Sequence, residues 1–458
     1  MNFVIGGSFL LLCLLFYKSI LMFFVYNVEN SVFFVIFCYF IECFSSIWYN
    51  KTESVVKLMP GIKFVALGGG QHIGASCYFL QVNGKNILFD CGKGNDEYGF
   101  YNPNFDTILC DGQFGVDNLS QIDSVFISHA HFDHIGYLVN LIKKSRNPHV
   151  YSTNLTKKIC SHLISEENHW EISKLSLDKK LEYDRDIQKV LEHTEAVNYN
   201  HRYKVEDDIY FTFYPAGHIP GAAMIYLEIY GTKVLYTGDF SMVSTPLAYS
   251  CELPKNISPD VIIVCGTHAK HPNYNPSVDM EKNIISLCRK YTSKNLYCKV
   301  KQLTKGIELV QVLRSAMDKK FLPKRKIYVD PNIWELADKL EESGIRIFDG
   351  NCSCFKKFKG FWNMPDGIYI GNDYYSRGFD YVENVDFTLH ATYENITDLI
   401  SMYSPRTVFV VHSADDRENK YETKLSNDFP DINIIYAEDD EIFDLTKEGF
   451  IYENKAIR

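Results

Sequence analysis

The stretch HAHFDH, residues 129–134, decides the fold, and it directly follows the apolar segment SVFIS, residues 124–128. Four potential metal ligands lie within six positions: His129, His131, Asp133 and His134. Residues two apart on a β-strand share a face, so His129 and His131 can bind one ion. The other two follow where a helix is expected to begin, and they suit a second ion. Imidazole with carboxylate favours zinc and, less exclusively, iron or manganese.

The alternative is a chance cluster of histidines on a polar loop. HxH alone arises often by accident, whereas HxHxDH after an apolar strand is far more specific. Three further candidates follow later apolar strands: His218 after Tyr210–Tyr214, Asp239 after Lys233–Tyr236 and His412 after Thr407–Val411. An α/β sheet places its chemistry at the carboxyl ends of its strands. We therefore expect these distant residues to meet at one rim.

Other residues near these segments have structural or supporting interpretations. Asp90 ends a strand that follows the hairpin turn Asn83-Gly84, where it is either a cap or a brace for the HxHxDH loop. Residues 68–74 are rich in glycine but carry neither GxGxxG nor a Walker lysine, which favours a tight turn over a phosphate site. Histidines without a partner at ligand spacing are interpreted as surface or cap residues: His149, His162, His169, His193 and His201.

Composition sets broad limits on the protein. A chain of 458 residues can form two or three domains. The formal net charge of -10 argues against a protein that binds nucleic acid over its whole surface. Thirteen cysteines without a CxxC pair indicate free thiols in a reducing compartment.

The first 58 residues differ from the rest of the chain. Residues 3–26 and 31–49 are apolar runs, each close to the roughly 20 residues that span a bilayer. They predict either a membrane anchor with a cytoplasm-facing catalytic part, or an untranslated segment that precedes a start at Met59. The sequence favours neither reading.

The combined motifs resemble those of metallo-β-lactamase-fold hydrolases of the β-CASP branch. They are Asp90, HAHFDH, AGHIPGAA with His218, YTGDF with Asp239, TLHAT with His390 and VVHSA with His412. Within that branch the chain is most similar to the RNA 3′-end-processing endonucleases of the Integrator and the cleavage-and-polyadenylation complexes. The stretch LGGGQHIGASCYFLQVNGKNILFDCG carries much of this likeness. The resemblance covers residues 59 to about 450 and is strongest in its first 200 residues.

This resemblance implies an α/β protein with a four-layer αββα metallo-β-lactamase fold and an inserted, shortened β-CASP α/β domain. The predicted divisions are an apolar leader (1–58), the first part of the hydrolase domain (59–257), the insertion (258–377) and the second part (378–458). Within the insertion, residues 305–317 and 332–342 have helical patterns, and residues 326–329 form an apolar strand.

The resemblance also implies the site and its activity. His129, His131 and His218 would hold one Zn²⁺, while Asp133, His134 and His412 would hold a second. Asp239 would bridge the two ions, and His390 would act as general acid. Asp133, Asp239 and His390 are thus the implied catalytic residues. The implied activity is that of a nuclear, zinc-dependent endoribonuclease that cuts phosphodiester bonds by two-metal hydroxide attack, with RNA and the proteins of a 3′-end-processing complex as partners.

Two departures from the family pattern leave alternatives open. Cys265 stands where the family has a carboxylate, in a TESTY-like sequence, that supports the acid histidine. The GRAQE-like start of a helix reads TKGIE here, without the arginine. A zinc-binding subunit with weakened or lost activity is therefore a second hypothesis. A small-molecule hydrolase of thiolesterase or lactonase type is a third, which His390 and the charge of the insertion disfavour.

The charge of the insertion is opposite to that of the rest. Residues 266–377 carry 20 Lys and Arg against 12 Asp and Glu, a net +8, which leaves -18 for the remainder of a chain whose total is -10. A basic segment over an acidic body suits a phosphodiester cleft, although a solvated basic face gives the same count.

Overall fold

The structure, a computed structural model, describes residues 61–445 except 97, 111, 146–147, 168–171, 173, 272–279, 355–364 and 414–421. The apolar runs predicted at 1–58 lie outside the described residues. Within the described part, none of the helices has both the length and the apolar character that a membrane crossing requires.

The strands of the described residues are β1 (Ile62–Gly68), β2 (Cys77–Val82), β3 (Lys85–Phe89), β4 (Gly94–Asp96), β5 (Gly99–Tyr101), β6 (Ser124–Phe126), β7 (His149–Thr153), β8 (Thr194–Val197), β9 (Arg202–Glu206), β10 (Ile209–Pro215), β11 (Ala223–Ile229), β12 (Thr232–Tyr236), β13 (Val261–Cys265), β14 (Leu296–Lys299), β15 (Ile327–Val329), β16 (Cys352–Cys354), β17 (Ile368–Gly371), β18 (Tyr381–Asn384), β19 (Thr407–Val411), β20 (Asn433–Tyr436) and β21 (Ile442–Asp444). The α-helices are α1 (Asp106–Cys110), α2 (Phe132–Ile135), α3 (Leu138–Lys144), α4 (Asn154–Glu167), α5 (Leu177–His193), α6 (Met280–Lys290), α7 (Leu303–Asp318), α8 (Pro331–Glu341), α9 (Tyr393–Tyr403) and α10 (Glu422–Asp428).

Two seven-stranded sheets pack face to face, in the orders β21-β1-β2-β3-β6-β7-β8 and β20-β19-β13-β12-β11-β10-β9. Aromatic side chains fill the space between them, for example Phe64 of β1 and Phe409 of β19, whose ring centroids are 4.2 Å apart. Helices α3, α4 and α5 cover the outer face of the first sheet, and α9 covers that of the second. The predicted αββα layering is confirmed.

Strand β1 shows why the sequence gives this layering. Successive side chains on a strand point to opposite faces. Phe64 and Ala66 therefore enter the core between the sheets, while Val65 and Leu67 pack under the helices of the first sheet. Because both faces of the strand are covered, it reads as a continuous apolar run rather than as an alternating one.

A smaller sheet of five parallel strands, in the order β16-β15-β17-β14-β18, carries helices α6, α7 and α8. The helices predicted at 305–317 and 332–342 correspond to α7 and α8. The predicted insertion (258–377) includes β13, which belongs to the second large sheet, and excludes β18, which belongs to the small one. The boundaries expected at 257/258 and 377/378 therefore do not coincide with sheet membership.

His162 on α4 corrects one prediction. It was expected at the surface or at a cap, but its side chain is buried, with Nε2 3.2 Å from the carbonyl oxygen of Asn332 on α8. Burial lowers the pKa of its imidazole. The residue thus joins a helix of the large-sheet body to a helix of the insertion.

The strand directions bring the predicted ligands to one rim. Strands β3 and β6 are parallel, as are β12, β13 and β19. Strand β10 is antiparallel to β11, which is antiparallel to β12, so β10 and β12 run the same way. The residues that follow these strands therefore emerge at one edge of the two sheets.

Candidate metal centre

Three imidazoles converge at this rim. Nε2 of His129 and Nε2 of His218 each lie 3.1 Å from Nδ1 of His131. Oδ2 of Asp239 is 3.7 Å from both Nε2 atoms. Ligands about 2.0–2.1 Å from a tetrahedral Zn²⁺ are roughly 3.3 Å apart, so this spacing fits a single ion.

A second group shares the same carboxylate. Oδ2 of Asp133 lies 3.9 Å from Nε2 of His134 and 3.8 Å from Nε2 of His412. Asp239 faces this group with both oxygens, Oδ2 at 3.5 Å from His134 and Oδ1 at 3.7 Å from His412. All seven predicted ligands therefore lie together, in two groups that meet at Asp239.

Several of these ligand atoms are buried without a hydrogen-bond partner among the described residues. They are Nε2 of His134, Nε2 of His412 and Oδ1 of Asp239. An unsatisfied buried polar atom costs about 1–3 kcal/mol, and native structures contain few of them. Three that face one another are explained by a cation between them. The residues present therefore fit a metal ion.

The opposite nitrogen of each imidazole is held by a fixed partner. The pairs are His129 Nδ1 with Ser128 Oγ (3.0 Å), His131 Nε2 with Thr304 Oγ1 (3.0 Å), His134 Nδ1 with Asp90 Oδ2 (2.7 Å), His218 Nδ1 with the Leu389 carbonyl oxygen (3.0 Å) and His412 Nδ1 with Ser76 Oγ (2.9 Å). Such contacts orient the ring and select the nitrogen that is left for the metal. Of these partners, the sequence predicted Asp90 and missed Ser76, Ser128, Thr304 and Leu389.

Asp90 braces the metal-binding loop, one of the two roles expected for it. Its carboxylate accepts hydrogen bonds from the backbone N–H and the hydroxyl of Ser128, from His134 Nδ1 and from the hydroxyl of Tyr236. Its φ of 59° lies in the left-handed region, which is unfavourable for a side chain other than glycine. The network of four donors holds the residue in that conformation.

His412 has a similar backbone, with φ at 50°. Its N–H donates to the carbonyl oxygen of Gly69 at 2.6 Å, and the N–H of Ser413 donates to that of Gly70 at 3.3 Å. The glycine-rich turn thus fixes a ligand-bearing strand end, in agreement with the structural interpretation of residues 68–74. Strained backbone held by its surroundings is typical of functional sites.

The electrostatics suit cation binding. Burial, reinforced by neighbouring imidazoles, holds the pKa of His129 and His131 well below the usual value, so their lone pairs are free at neutral pH. Burial alone would raise the pKa of Asp239, but the facing imidazoles hold it well below its usual value. Burial also opposes protonation of His134, yet the carboxylates of Asp239, Asp133 and Asp90 raise its pKa. The first group is therefore ready to bind a cation, whereas the second holds a proton that a cation would displace.

His390 lies at the edge of the centre. Its Nδ1 is 3.2 Å from Oγ1 of Thr267 and 3.4 Å from Oδ2 of Asp239. The residue lines a cavity of about 690 Å³, whose wall also includes Lys290 and Lys305. His131 and Asp133 line another cavity, of about 190 Å³, with Lys93 and Lys301. The centre therefore opens on polar cavities that carry positive charge.

Cys265 is buried at the end of β13, with its sulfur 3.7 Å from the hydroxyl oxygen of Tyr236. The sequence correctly places this thiol, rather than a carboxylate, beside the centre. The hydroxyl that contacts His390 belongs to Thr267, two residues later, and the motif comparison did not single it out.

The fold and the site define a metallo-β-lactamase domain. Residues 79–247 match the metallo-beta-lactamase superfamily domain. The chain is 30% identical to Endoribonuclease ysh1 of Schizosaccharomyces pombe over 227 residues, which are 49% of this chain and 28% of that protein. It is 34% identical to Cleavage and polyadenylation specificity factor 73 of Drosophila melanogaster over 238 residues, 51% of this chain and 32% of that protein.

Integrator complex subunit 11 of Danio rerio is 32% identical over 219 residues, 46% of this chain and 35% of that protein. The resemblance inferred from the motifs is thus confirmed, although the matches span only about a third of each relative's length. A crystal structure of a protein of unknown function from Enterococcus faecalis V583 shares the fold, with a TM-score of 0.54 and 14% identity over 84% of this chain and 100% of that one.

Proposed function

We propose that this protein is a zinc-dependent endoribonuclease that hydrolyses phosphodiester bonds in RNA 3′-end processing. The observation that carries the proposal is the convergence of seven ligand side chains in two groups around Asp239, with His390 beside them at 3.4 Å. The names of the relatives, an endoribonuclease and subunits of two complexes, support the substrate class and a nuclear location with protein partners.

In this proposal His129, His131 and His218 hold one Zn²⁺, Asp133, His134 and His412 hold the other, and Asp239 contacts both. The two ions would supply a hydroxide nucleophile near neutral pH and positive charge for the phosphate oxygens. The protein keeps the ligand set rigid through Asp90 and the hydroxyl and carbonyl partners of the imidazoles. His390 donates a proton to the leaving 3′ oxygen. Lys290 and Lys305, on the wall of the larger cavity, attract the RNA backbone.

A second candidate function is a zinc-binding subunit without turnover. The buried thiol of Cys265, in place of the family's carboxylate, is the observation that favours it. Against it stands the complete set of seven ligands, since a subunit released from catalysis has no need to retain them all.

The test is metal analysis together with cleavage of single-stranded RNA by the purified full chain. We expect two zinc ions per chain and cleavage that yields 3′-hydroxyl and 5′-phosphate ends. Asp133→Ala combined with His134→Ala should lower the zinc content to one and reduce cleavage about 10³-fold or more, because the second group and its charge are lost. Circular dichroism would check that the variant is folded.

His149→Ala is the matched control, since His149 is exposed on β7, and it should change neither zinc content nor rate. Zinc binding without RNA cleavage, even after Cys265→Glu, would favour the non-catalytic subunit. Hydrolysis of thioesters or lactones with no action on RNA would favour a small-molecule hydrolase.

A further inference from the structure

The segment that follows β13 grips the loop that carries His390. The hydroxyl of Thr267 lies 3.2 Å from Nδ1 of His390. Nε2 of the next residue, His268, lies 3.1 Å from Oγ1 of Thr388, and the same Oγ1 accepts the backbone N–H of His390 at 3.2 Å. One contact therefore fixes the ring of His390, and the other fixes its main chain.

The same loop is tied to a metal ligand. Nδ1 of His218 donates to the carbonyl oxygen of Leu389 at 3.0 Å, and the ring centroids of His218 and His390 are 4.7 Å apart. His390 is therefore fixed relative to the ligands, and the rotation of its imidazole is the freedom that Thr267 restricts.

Position 265 does not provide this restraint. The sulfur of Cys265 lies near the hydroxyl of Tyr236, and its backbone N–H donates to Oγ1 of Thr237 at 3.0 Å. A thiol has no carboxylate oxygen to accept a hydrogen bond from an imidazolium. Asp239 is 3.4 Å from Nδ1, but it already faces both ligand groups.

We propose that Thr267 is the positioning residue of the general acid His390, and that its hydroxyl replaces the carboxylate that β-CASP relatives have at position 265. This inference rests on the proposed function. In the cleavage step, hydroxide forms the new bond to phosphorus while the bond from phosphorus to the 3′ oxygen breaks. The proton on Nε2 of His390 passes to that oxygen and leaves a neutral imidazole. Nδ1 keeps its proton, which it donates to Oγ1 of Thr267.

Thr267→Val tests this role, because it keeps the shape of the side chain and removes the hydroxyl. We expect kcat for RNA to fall about 10- to 100-fold, a part of the 10²–10⁴-fold that a positioned acid contributes, with KM and zinc content unchanged. Thr267→Ser, which restores a hydroxyl, should recover most of the rate. Thr212→Val, at a buried threonine of β10, is the matched control and should behave as wild type.

A substrate with sulfur in place of the leaving 3′ oxygen separates positioning from a structural role. A thiolate leaves without protonation, so the defect of Thr267→Val should shrink to within about 3-fold of wild type on this substrate. Equal losses on the oxygen and sulfur substrates would overturn the proposal, as would a wild-type rate for Thr267→Val on ordinary RNA.

A readout without turnover keeps this inference separate from the proposed function. In the full chain labelled with ¹⁵N-histidine, His390 should show a proton on Nδ1, and Thr267→Val should lower the population of that tautomer. Absence of RNA cleavage by wild type would refute the proposed function alone. An unchanged His390 spectrum in Thr267→Val would refute the positioning contact, whatever the activity.

Discussion

The metal-binding rim and the inserted domain treat buried polar groups in opposite ways. At the rim, His134, His412 and Asp239 each leave a buried atom without a hydrogen-bond partner among the described residues, and these atoms face one another. In the insertion, Asp330 is fully buried, and its two oxygens accept the backbone N–H groups of Ile333 and Asn372 at 2.8 and 3.1 Å. Polar burial at the rim awaits a ligand, whereas polar burial in the insertion completes the fold.

Removal of metal should give the largest effect on this comparison. Because the rim atoms are satisfied only by cations, zinc at 1,000 times its dissociation constant should raise the free energy of unfolding by about 4 kcal/mol. Chemical denaturation of the full chain with zinc and with a chelator measures the difference. Equal unfolding midpoints would mean that the unpaired rim atoms are not ligand atoms.

Glu308 of α7 is an exception within the insertion. Its side chain is fully buried, Oε2 accepts the hydroxyl of Thr245 at 3.1 Å, and Oε1 has no partner among the described residues. Burial raises the pKa of this carboxyl from 4.5 to about 7. The folded state therefore prefers the protonated acid, and the residue's contribution to stability is present below pH 4.5 and is lost as the pH rises through 7.

Glu308→Gln should remove this dependence. A shift of about 2.5 pKa units corresponds to about 3 kcal/mol, so at pH 8 the variant should unfold at a free energy higher than wild type by up to that amount. At pH 4.5 the two proteins should agree closely. Unfolding at both pH values measures the effect, with Glu281→Gln, a carboxylate near Lys319 on the surface of α6, as the control. An equal difference at the two pH values would contradict the raised pKa.

The two regions also differ in how far the sequence predicts them. Each ligand at the rim follows an apolar strand, so periodicity and spacing located all seven, and β2 and β19 begin and end at the predicted residues. The partner of His131 was missed because Thr304 lies 173 residues away on a helix of the insertion. His162 was misplaced for the same reason. Local patterns encode which face of an element is buried, but not which distant element covers it.

Asp330 should show the smallest of these effects. It caps α8, accepting the N–H of Ile333, and Pro331 occupies the first helical position. Asp330→Ala removes the cap and leaves the N–H of Asn372 buried without its acceptor, which should cost about 2 kcal/mol of unfolding free energy. Zinc content of the folded protein should stay unchanged, because Asp330 takes no part in the rim. Asp373→Ala, which removes only an exposed contact with Lys299, should have little effect. Loss of zinc in Asp330→Ala at full stability would mean that the insertion, and not the rim alone, sets the metal site.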